Sequence, residues 1–292
     1  MHPAPSIIAF TTLSGLGFGL MFWLGIGMPG STGLVAFVFF AIAYGLAVGG
    51  LIASVFHLGR PERAWKSFSQ WRSSWLSREG VLAVATLVVM AIYGAGLVFV
   101  GAHWAPLGWL GALGCLATVF ATAMIYTQLK AVPRWRHWST PALFLALSLG
   151  GGALLTGNIV AAMILLAIAA ALQLYAWWDG DTRLARSGTT LATATGIAGT
   201  GTVRAFEPPH TGTNYLLREF VHVVGRRHAL KLRVIGIALA FGLPLLVLAL
   251  GVTHLSAALA VVSHLAGVLV LRWLFFAEAE HVVGLYYGKR TA

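Results

Sequence analysis

Eight long apolar runs divide the chain, and the charged residues are confined to the loops on one side of them and to the chain ends. A helix needs about 20 apolar residues to cross a bilayer core roughly 30 Å thick. The stretch from Pro141 to Trp177 is too long for one crossing, and Gly157-Asn158 predicts a turn that divides it in two. We predict spans at Ile7–Gly27, Gly33–Phe56, Val81–Ala102, Leu107–Tyr126, Pro141–Thr156, Ile159–Trp177, Val234–Val252 and Leu255–Ala277. The sequence therefore predicts an all-α polytopic integral membrane protein with eight transmembrane helices.

The positions of the basic residues predict the orientation of these helices. The loops 57–79, 128–140 and 178–233 contain five, three and eight of the 19 Lys and Arg residues, and the other three lie at or after the end of the last span. The intervening loops contain no charge. With eight spans, the charged loops share one side with both termini, and the positive-inside rule makes that side cytoplasmic. We therefore expect both termini in the cytoplasm, in a multi-pass protein of the bacterial cytoplasmic (inner) membrane.

Composition excludes several other classes. The chain is 59% hydrophobic and 9% charged, whereas a soluble domain carries about 25% charged residues. The net charge of +11 comes from basic loops between apolar runs, so it reports topology and predicts no nucleic-acid partner. Cys115 is the single cysteine, which excludes a disulfide framework and iron–sulfur ligation within this chain. We expect residues 1–292 to form a single membrane domain in contact with the lipid bilayer.

The segment 178–233 is predicted to be a long cytoplasmic loop. Its first part, 179–214, is rich in Gly and Thr and predicts irregular structure. An amphipathic helix is predicted near 215–233, where Arg218, His222 and Arg226 recur every four residues. Such a helix is typical of a membrane interface, and it is equally compatible with a docking surface for a soluble partner.

The loop 57–79 contains the residues best suited to chemistry. His57 lies where the second run ends, and an imidazole there can donate a hydrogen bond to a carbonyl and exchange a proton near neutral pH. Glu79 lies at the other end of the loop, next to the third apolar run, and could relay a proton. Arg63 could bind a carboxylate. A quinone head group requires such a donor and proton carrier. The same residues also fit a basic, Trp-bearing interfacial loop, and Glu79 also fits a first-turn carboxylate favoured by the helix dipole.

Two other segments carry polar residues at the predicted membrane boundary. Trp138 lies in the second charged loop, where it could border an interfacial cavity. Arg272, near the end of the last run, is costly unless it snorkels to the interface or pairs, and Glu278 and Glu280 are candidate partners. Of ten histidines only His264 lies well inside a span, whereas membrane haem sites use paired histidines. We therefore expect no bound haem.

The segments 57–65 and 74–79 resemble the membrane-anchor subunit family of dimethyl sulfoxide reductase, and the likeness extends to 132–135, 138–141 and the eight-span layout. It implies an anchor for a molybdenum catalytic subunit and a four-cluster iron–sulfur subunit on the cytoplasmic face. It also implies electron exchange with quinone, either menaquinone or ubiquinone, without haem. The molybdenum cofactor and iron–sulfur clusters would belong to the partners only. His57 and Glu79 match the family's quinone residues, and we expect Arg63 and Trp138 near the same quinone.

The segments 1–6, 206–211 and 225–228 look more like the branch of this family that anchors a cytoplasmic, quinone-linked sulfite dehydrogenase. That branch implies electron flow from sulfite oxidation to the quinone pool. Four alternatives stay open at this point. They are the anchor of a dimethyl sulfoxide reductase running from quinol to substrate, a transporter, a haem cytochrome subunit and a purely structural anchor.

Overall fold

The computed structural model describes residues 2–197, 199, 201–204, 206–207, 212–220 and 228–287, and no β-strand occurs in these ranges. The longer helices are α1 (Pro5–Gly25), α2 (Gly33–Ala53), α3 (Trp75–Ala95), α4 (Ala105–Thr127), α5 (Ser139–Leu155) and α6 (Ile159–Arg186). They are followed by α7 (Leu191–Thr195), α8 (Tyr215–Phe220), α9 (Ala229–Ile237), α10 (Leu243–Leu250) and α11 (His254–Ala277). Short 3₁₀ segments cover Ser54–His57, Pro61–Gln70 and Val282–Tyr287. The predicted all-α class is confirmed.

Seven helical segments of the described chain are long and apolar enough to cross a membrane. These are Pro5–Gly25, Gly33–His57, Trp75–Val100, Ala105–Thr127, Ile159–Arg186, Ala229–Leu250 and His254–Ala277. The predicted fifth span is the 17-residue helix α5, which is shorter than the roughly 20 residues that a crossing requires. The chain is thus a multi-pass membrane protein, and the count of eight crossings stays a prediction.

Helix α6 is longer than the sequence pattern predicted. It continues beyond Trp177 to Arg186 and has 28 residues, which at 1.5 Å per residue is about 42 Å. Its last turns carry ion pairs of Asp179 with Arg183 and Arg186. Because both pairs join residues of one helix, they stabilise the helical turns that lie beyond the apolar run. The charged end of α6 therefore projects past a bilayer core of roughly 30 Å.

The seventh predicted span is a helix interrupted by one π-helical turn. Residues Ala238–Gly242 form this turn between α9 and α10. Two side chains of α11 hydrogen-bond carbonyl groups of the turn: Ser263 Oγ donates to Leu239 O at 2.8 Å, and His264 Nδ1 lies 2.7 Å from Ala240 O. The histidine that lies inside a span is thus held by the backbone of a neighbouring helix, and α11 is tied to the interrupted span.

Helix α1 is the centre of the bundle. It packs against α2, α4, α5 and α11, and Leu20 and Met21 are fully buried. The approach to α5 is so close that a Cβ atom at Gly19 or Gly152 would collide with the facing backbone. Small residues at these contacts let transmembrane helices pack backbone to backbone. The remaining face of the bundle, including most of α2 and α6, exposes large apolar side chains that suit contact with lipid.

The predicted amphipathic helix near 215–233 falls on two described elements with a gap between them. Helix α8 covers its first six residues, 215–220. Residues 221–227, which include His222 and Arg226, lie outside the described residues. Residues 229–233 form the first turns of α9 and so begin the seventh span. At the start of the chain, the backbone amide of His2 donates to Glu219 O at 2.7 Å, which places α8 beside the N-terminus.

Candidate functional site

Glu79 is a buried residue of α3. The helix begins at Trp75, so Glu79 lies in its second turn and has no place among the first-turn residues that the helix dipole favours. The buried positions Glu79, Ala83, Thr86 and Tyr93 recur at helical spacing on one face, and only 4% of the Glu79 surface is exposed. The interpretation of Glu79 as a first-turn carboxylate is therefore wrong, because the helix starts at Trp75, six residues before the apolar run.

The Glu79 carboxylate has one described side-chain partner, which comes from α4. The Thr122 hydroxyl donates a hydrogen bond to Glu79 Oε1. The same hydroxyl lies 3.0 Å from the carbonyl oxygen of Thr118, its other acceptor. A hydroxyl has one proton and two lone pairs. Thr122 can therefore donate to an ionised Glu79, or donate to Thr118 O while it accepts a hydrogen bond from a neutral Glu79. The pair accommodates both protonation states of the carboxyl group.

A small cavity reaches the Thr122 side of this pair. It lies among α1, α4, α5 and α11. Thr11, Ser14 and Thr122 contribute hydroxyl groups to its wall, and Phe144 and Arg272 also line it. The cavity thus combines hydrogen-bonding groups with an aromatic surface in the interior of the bundle.

His57 ends the 3₁₀ segment that follows α2, and it is exposed. This segment packs against α1 and α2, while the next 3₁₀ segment, 61–70, packs against α3. Arg63 is an exposed residue of that second segment. The structure thus places His57 and Arg63 on the surface of the loop and Glu79 beneath it, and the described contacts do not join them directly. The imidazole has access to a ligand from outside the bundle.

Arg78 holds the loop on the start of α3. Its Nε donates to Trp71 O at 3.0 Å, and its Nη2 donates to Arg72 O at 2.7 Å. The Arg78 guanidinium also lies over the Trp75 ring, with its Cζ 4.4 Å from the ring centroid. Phe68 packs against Gly80, where a Cβ atom would lie 3.2 Å from Phe68 Cε1. These contacts fix the loop over the buried Glu79.

The outer surface of this loop is basic. Its four exposed cations form no ion pair with any carboxylate in the described part of the chain. They are Arg60, Arg63, Lys66 and Arg72. Trp65 and Trp71 are exposed between them, and Lys66 and Arg72 lie over these two rings. The loop therefore presents positive charge and aromatic surface together.

Trp138 lies in a different aromatic group, at the start of α5. Its ring is 57% exposed and stacks on Tyr175 of α6 with the ring centroids 5.4 Å apart. The neighbouring Trp135 is buried, stacks on Phe275 at 5.1 Å and donates from Nε1 to Phe275 O at 3.0 Å. The second charged loop is therefore held by aromatic contacts with α6 and α11, and Trp138 is its exposed ring.

An ion-pair network joins α6, α9 and α11 at the charged end of the bundle. Asp181 accepts from Arg134 and Arg233, both at 2.7 Å, and Glu278 accepts from Arg233 Nε at 2.7 Å. Glu278 also lies 3.8 Å from Arg134. The expected pairing of Glu278 with Arg272 is wrong, because Arg233 from the preceding span binds the carboxylate instead.

Sequence reasoning missed Thr122 and Asp181. Thr122 stands in an apolar run, where its only signal is the spacing of four residues from Thr118. Threonines in such runs commonly hydrogen-bond the backbone one turn earlier, so this spacing alone predicts no partner on another helix. The sequence around Asp181 does not indicate its partners, Arg134 and Arg233, which lie 47 and 52 residues away.

Known proteins support one family for this chain. Residues 2–288 match the family model described as DMSO reductase anchor subunit (DmsC). A sulfite dehydrogenase subunit from Allochromatium vinosum is 33% identical over an alignment of 332 residues, which covers 98% of this chain and 99% of the relative. No solved structure matches the chain significantly.

These matches agree with the described architecture. The family match extends over nearly all of the apolar helices and includes the loop 57–79, the second charged loop and the C-terminal 3₁₀ segment. The chain is therefore a membrane-anchor subunit of an oxidoreductase, and it belongs to the DMSO reductase anchor subunit family.

Proposed function

We propose that this chain is the quinone-reactive membrane anchor of a molybdenum and iron–sulfur oxidoreductase. It spans the bacterial cytoplasmic membrane eight times, with α5 as the short crossing and both termini in the cytoplasm. The charge distribution supports this orientation, because the loops 57–79, 128–140 and 178–233 contain 16 of the 19 Lys and Arg residues. Helix α5 is buried within the bundle, so its short length is shielded from lipid.

The observation that carries the proposal is the buried Glu79 carboxyl group with its Thr122 partner, beneath a loop that exposes His57. Quinone reduction takes up two electrons and two protons at the carbonyl oxygens. In this proposal the His57 imidazole donates a hydrogen bond to one carbonyl oxygen, and Arg63 provides positive charge beside it. Glu79 stores and delivers a proton, since its link to Thr122 accommodates both states of the carboxyl group. Trp138 stays a proposed neighbour of the quinone, although its ring stacks on Tyr175 of α6 in the described structure.

The basic loop surface supports the proposed assembly. Unpaired cations on the face that carries His57 would attract an acidic partner and orient it during docking. We propose that the four-cluster iron–sulfur subunit binds at this cytoplasmic face and carries the molybdenum catalytic subunit. This arrangement brings a cluster close to the quinone site, so that electrons cross between partner and anchor at the membrane boundary.

The direction of electron flow separates two candidate complexes. The likeness to a sulfite dehydrogenase subunit over almost the whole chain supports sulfite oxidation in the cytoplasm with quinone as electron acceptor. The family description supports the alternative, in which quinol supplies electrons to dimethyl sulfoxide reduction. We favour the first because the site loop lies on the predicted cytoplasmic side.

Purification of the native complex tests this proposal. Membranes are extracted in mild detergent, and the proteins that co-purify with the tagged chain are identified together with their molybdenum and iron content. The complex is then supplied with sulfite and a short-chain quinone, or with the corresponding quinol and dimethyl sulfoxide. Sulfite-dependent quinone reduction supports the favoured function, and quinol oxidation by dimethyl sulfoxide supports the alternative. Co-purification without any molybdenum protein would contradict both, and a reduced-minus-oxidised spectrum with haem bands would favour a cytochrome subunit.

A further inference from the structure

Arg272 of α11 is a buried cation without a carboxylate partner among the described residues. Only 3% of its surface is exposed, and its guanidinium lies over the Phe144 ring with Cζ 3.5 Å from the ring centroid. Its Nε is buried and has no hydrogen-bond partner. Glu278, the acidic residue six positions later, is bound by Arg233. An unpaired charge inside a membrane protein is costly and marks a functional site by default.

Arg272 lines a second cavity, which lies among α5, α6 and α11 at the charged end of the bundle. We refer to it as the charged-end cavity. Its polar wall contains Arg134, Gln173 and Arg272, and Arg134 also has a buried Nε without a partner. Only 6% of the Gln173 surface is exposed, yet no hydrogen bond joins its amide to another residue of the described chain.

The rest of the cavity wall is apolar. Leu143, Leu147, Leu271 and Phe275 line it below the arginines. Glu278 is the acidic residue of the wall, and its carboxylate is bound by Arg233 and lies near Arg134. The cavity therefore joins positive charge and free hydrogen-bond donors to an apolar wall. This combination suits an anionic head group at membrane-interface depth, where arginine binds phosphate strongly.

We propose that the charged-end cavity binds a phosphate group, with Arg272 as its main ligand and Gln173 and Arg134 as further donors. The apolar wall favours a phosphate carried by an anionic phospholipid of the cytoplasmic leaflet. The bound anion neutralises Arg272 and joins α5, α6 and α11 at the membrane boundary. The charged-end cavity is separate from the loop 57–79 that carries His57, although Arg272 also lines the small cavity beside Thr122.

The test uses the purified complex after removal of lipid by detergent washing. Its thermal unfolding midpoint is measured with dihexanoyl phosphatidylglycerol, dihexanoyl phosphatidylcholine or inorganic phosphate. Three variants are compared with the wild type: Arg272→Gln, Arg272→Lys and, as a control with the same change of charge at an exposed site, Arg136→Gln. Phospholipid phosphorus that co-purifies before washing is measured in all four proteins.

We expect phosphatidylglycerol to raise the midpoint of the wild type, Arg272→Lys and Arg136→Gln proteins. The Arg272→Gln protein should need at least roughly tenfold more phosphatidylglycerol for the same rise of the midpoint. This is the effect expected when one charge-assisted hydrogen bond is lost. An equal rise with inorganic phosphate also supports the anion site and identifies free phosphate as the ligand. The absence of any rise in the wild type, or a full response in Arg272→Gln, would overturn the proposal. So would displacement of the bound anion by a short-chain quinone.

Discussion

The Thr122 hydroxyl of α4 donates a hydrogen bond to the buried Glu79 carboxylate of α3, 43 residues away in the chain. This contact links α3, which begins after the loop carrying His57, to α4, which ends at the second charged loop. Because Thr122 also faces the Thr118 carbonyl, the contact can persist whether Glu79 is charged or neutral. A carboxyl group that is buried yet supported in both states is suited to proton transfer, and the first two predictions follow from this pair.

We expect Glu79→Gln to lower quinone-linked turnover by roughly 10²-fold or more, because glutamine keeps the shape and the hydrogen bond but cannot carry a proton. Dye-linked activity of the catalytic partner, measured in the same membranes, should hold. The affinity for a quinone analogue should change little, since only the transfer step is altered. Wild-type turnover with an unchanged pH profile would rule out a proton role for Glu79.

We expect Thr122→Val to impair the same activity, because it leaves the buried carboxylate without its hydroxyl donor, a loss of about 1–3 kcal/mol. Thr122→Ser keeps the hydroxyl and serves as the matched control. The measurement is quinone-linked turnover against pH for the three proteins. The valine protein should show a displaced pH profile, whereas the serine protein should follow the wild type. Coincident profiles for valine and wild type would show that Thr122 does not tune Glu79.

We expect His57→Ala to leave assembly intact and to slow quinone-linked turnover. His57 is exposed and makes no described hydrogen bond, so its loss removes no packing from the core. His254→Ala is the control, since His254 is also exposed but begins α11 at the uncharged end of the bundle. Equal loss of quinone-linked and dye-linked activity in His57→Ala would indicate an assembly defect, and full activity would remove His57 from the site.

We expect both termini to be cytoplasmic, because the uncharged loops alternate with the charged ones along the chain. Fusions of a reporter that is active only in the periplasm should stay inactive at either end and become active when inserted at the turn near Gly157. Activity of a terminal fusion would contradict eight crossings. It would favour seven crossings, with α5 as a helix that does not span.

We expect acid to destabilise the second charged loop through His137. Partial burial and then the nearby Arg183 lower the pKa of His137 below its usual value of 6.5. The neutral ring accepts from the backbone N–H of Ser139 at 3.3 Å, and a protonated Nδ1 cannot. Because the pKa of His137 is lowered in the folded state, the stabilisation by this hydrogen bond is fully present above about pH 6.5. It is lost as the pH falls through the folded-state pKa.

The measurement for His137 is the thermal unfolding midpoint of the detergent-solubilised protein between about pH 7.5 and pH 5, compared with His137→Asn. The wild type should lose stability more steeply on acidification than the variant, because the variant has no ring to protonate. Parallel curves would show that the loop does not depend on the neutral imidazole.

The sequence predicts that Glu79 lies near a membrane boundary, but it does not predict the burial of the side chain or its partner. Its sequence position at the boundary between a charged loop and an apolar run is a local property. Burial of the side chain depends on where α3 begins, and Trp75 starts that helix six residues before the apolar run. The partner comes from α4, where one threonine in an apolar run carries no sign of which helix it faces.

Arg272 also shows that the sequence does not determine which side chains pair. The sequence suggested Glu278 or Glu280 as its partner, six and eight residues later. The packing of α9 beside α11 brings Arg233 to that carboxylate instead, and the Phe144 ring covers the Arg272 guanidinium. Charge pairing between helices depends on their rotation and depth, which no local pattern contains.

The amino-acid sequence by itself determined that this is an all-α membrane chain, where most of its long helices lie and which ends of them carry the charge. These properties follow from the length of apolar runs and from the cost of placing charge in a bilayer, and both are read along the chain. Only the tertiary structure decided which polar groups meet inside the bundle, from Thr122 and Glu79 to the cavity beside Arg272. Those contacts join residues far apart in sequence, so they depend on how the helices pack.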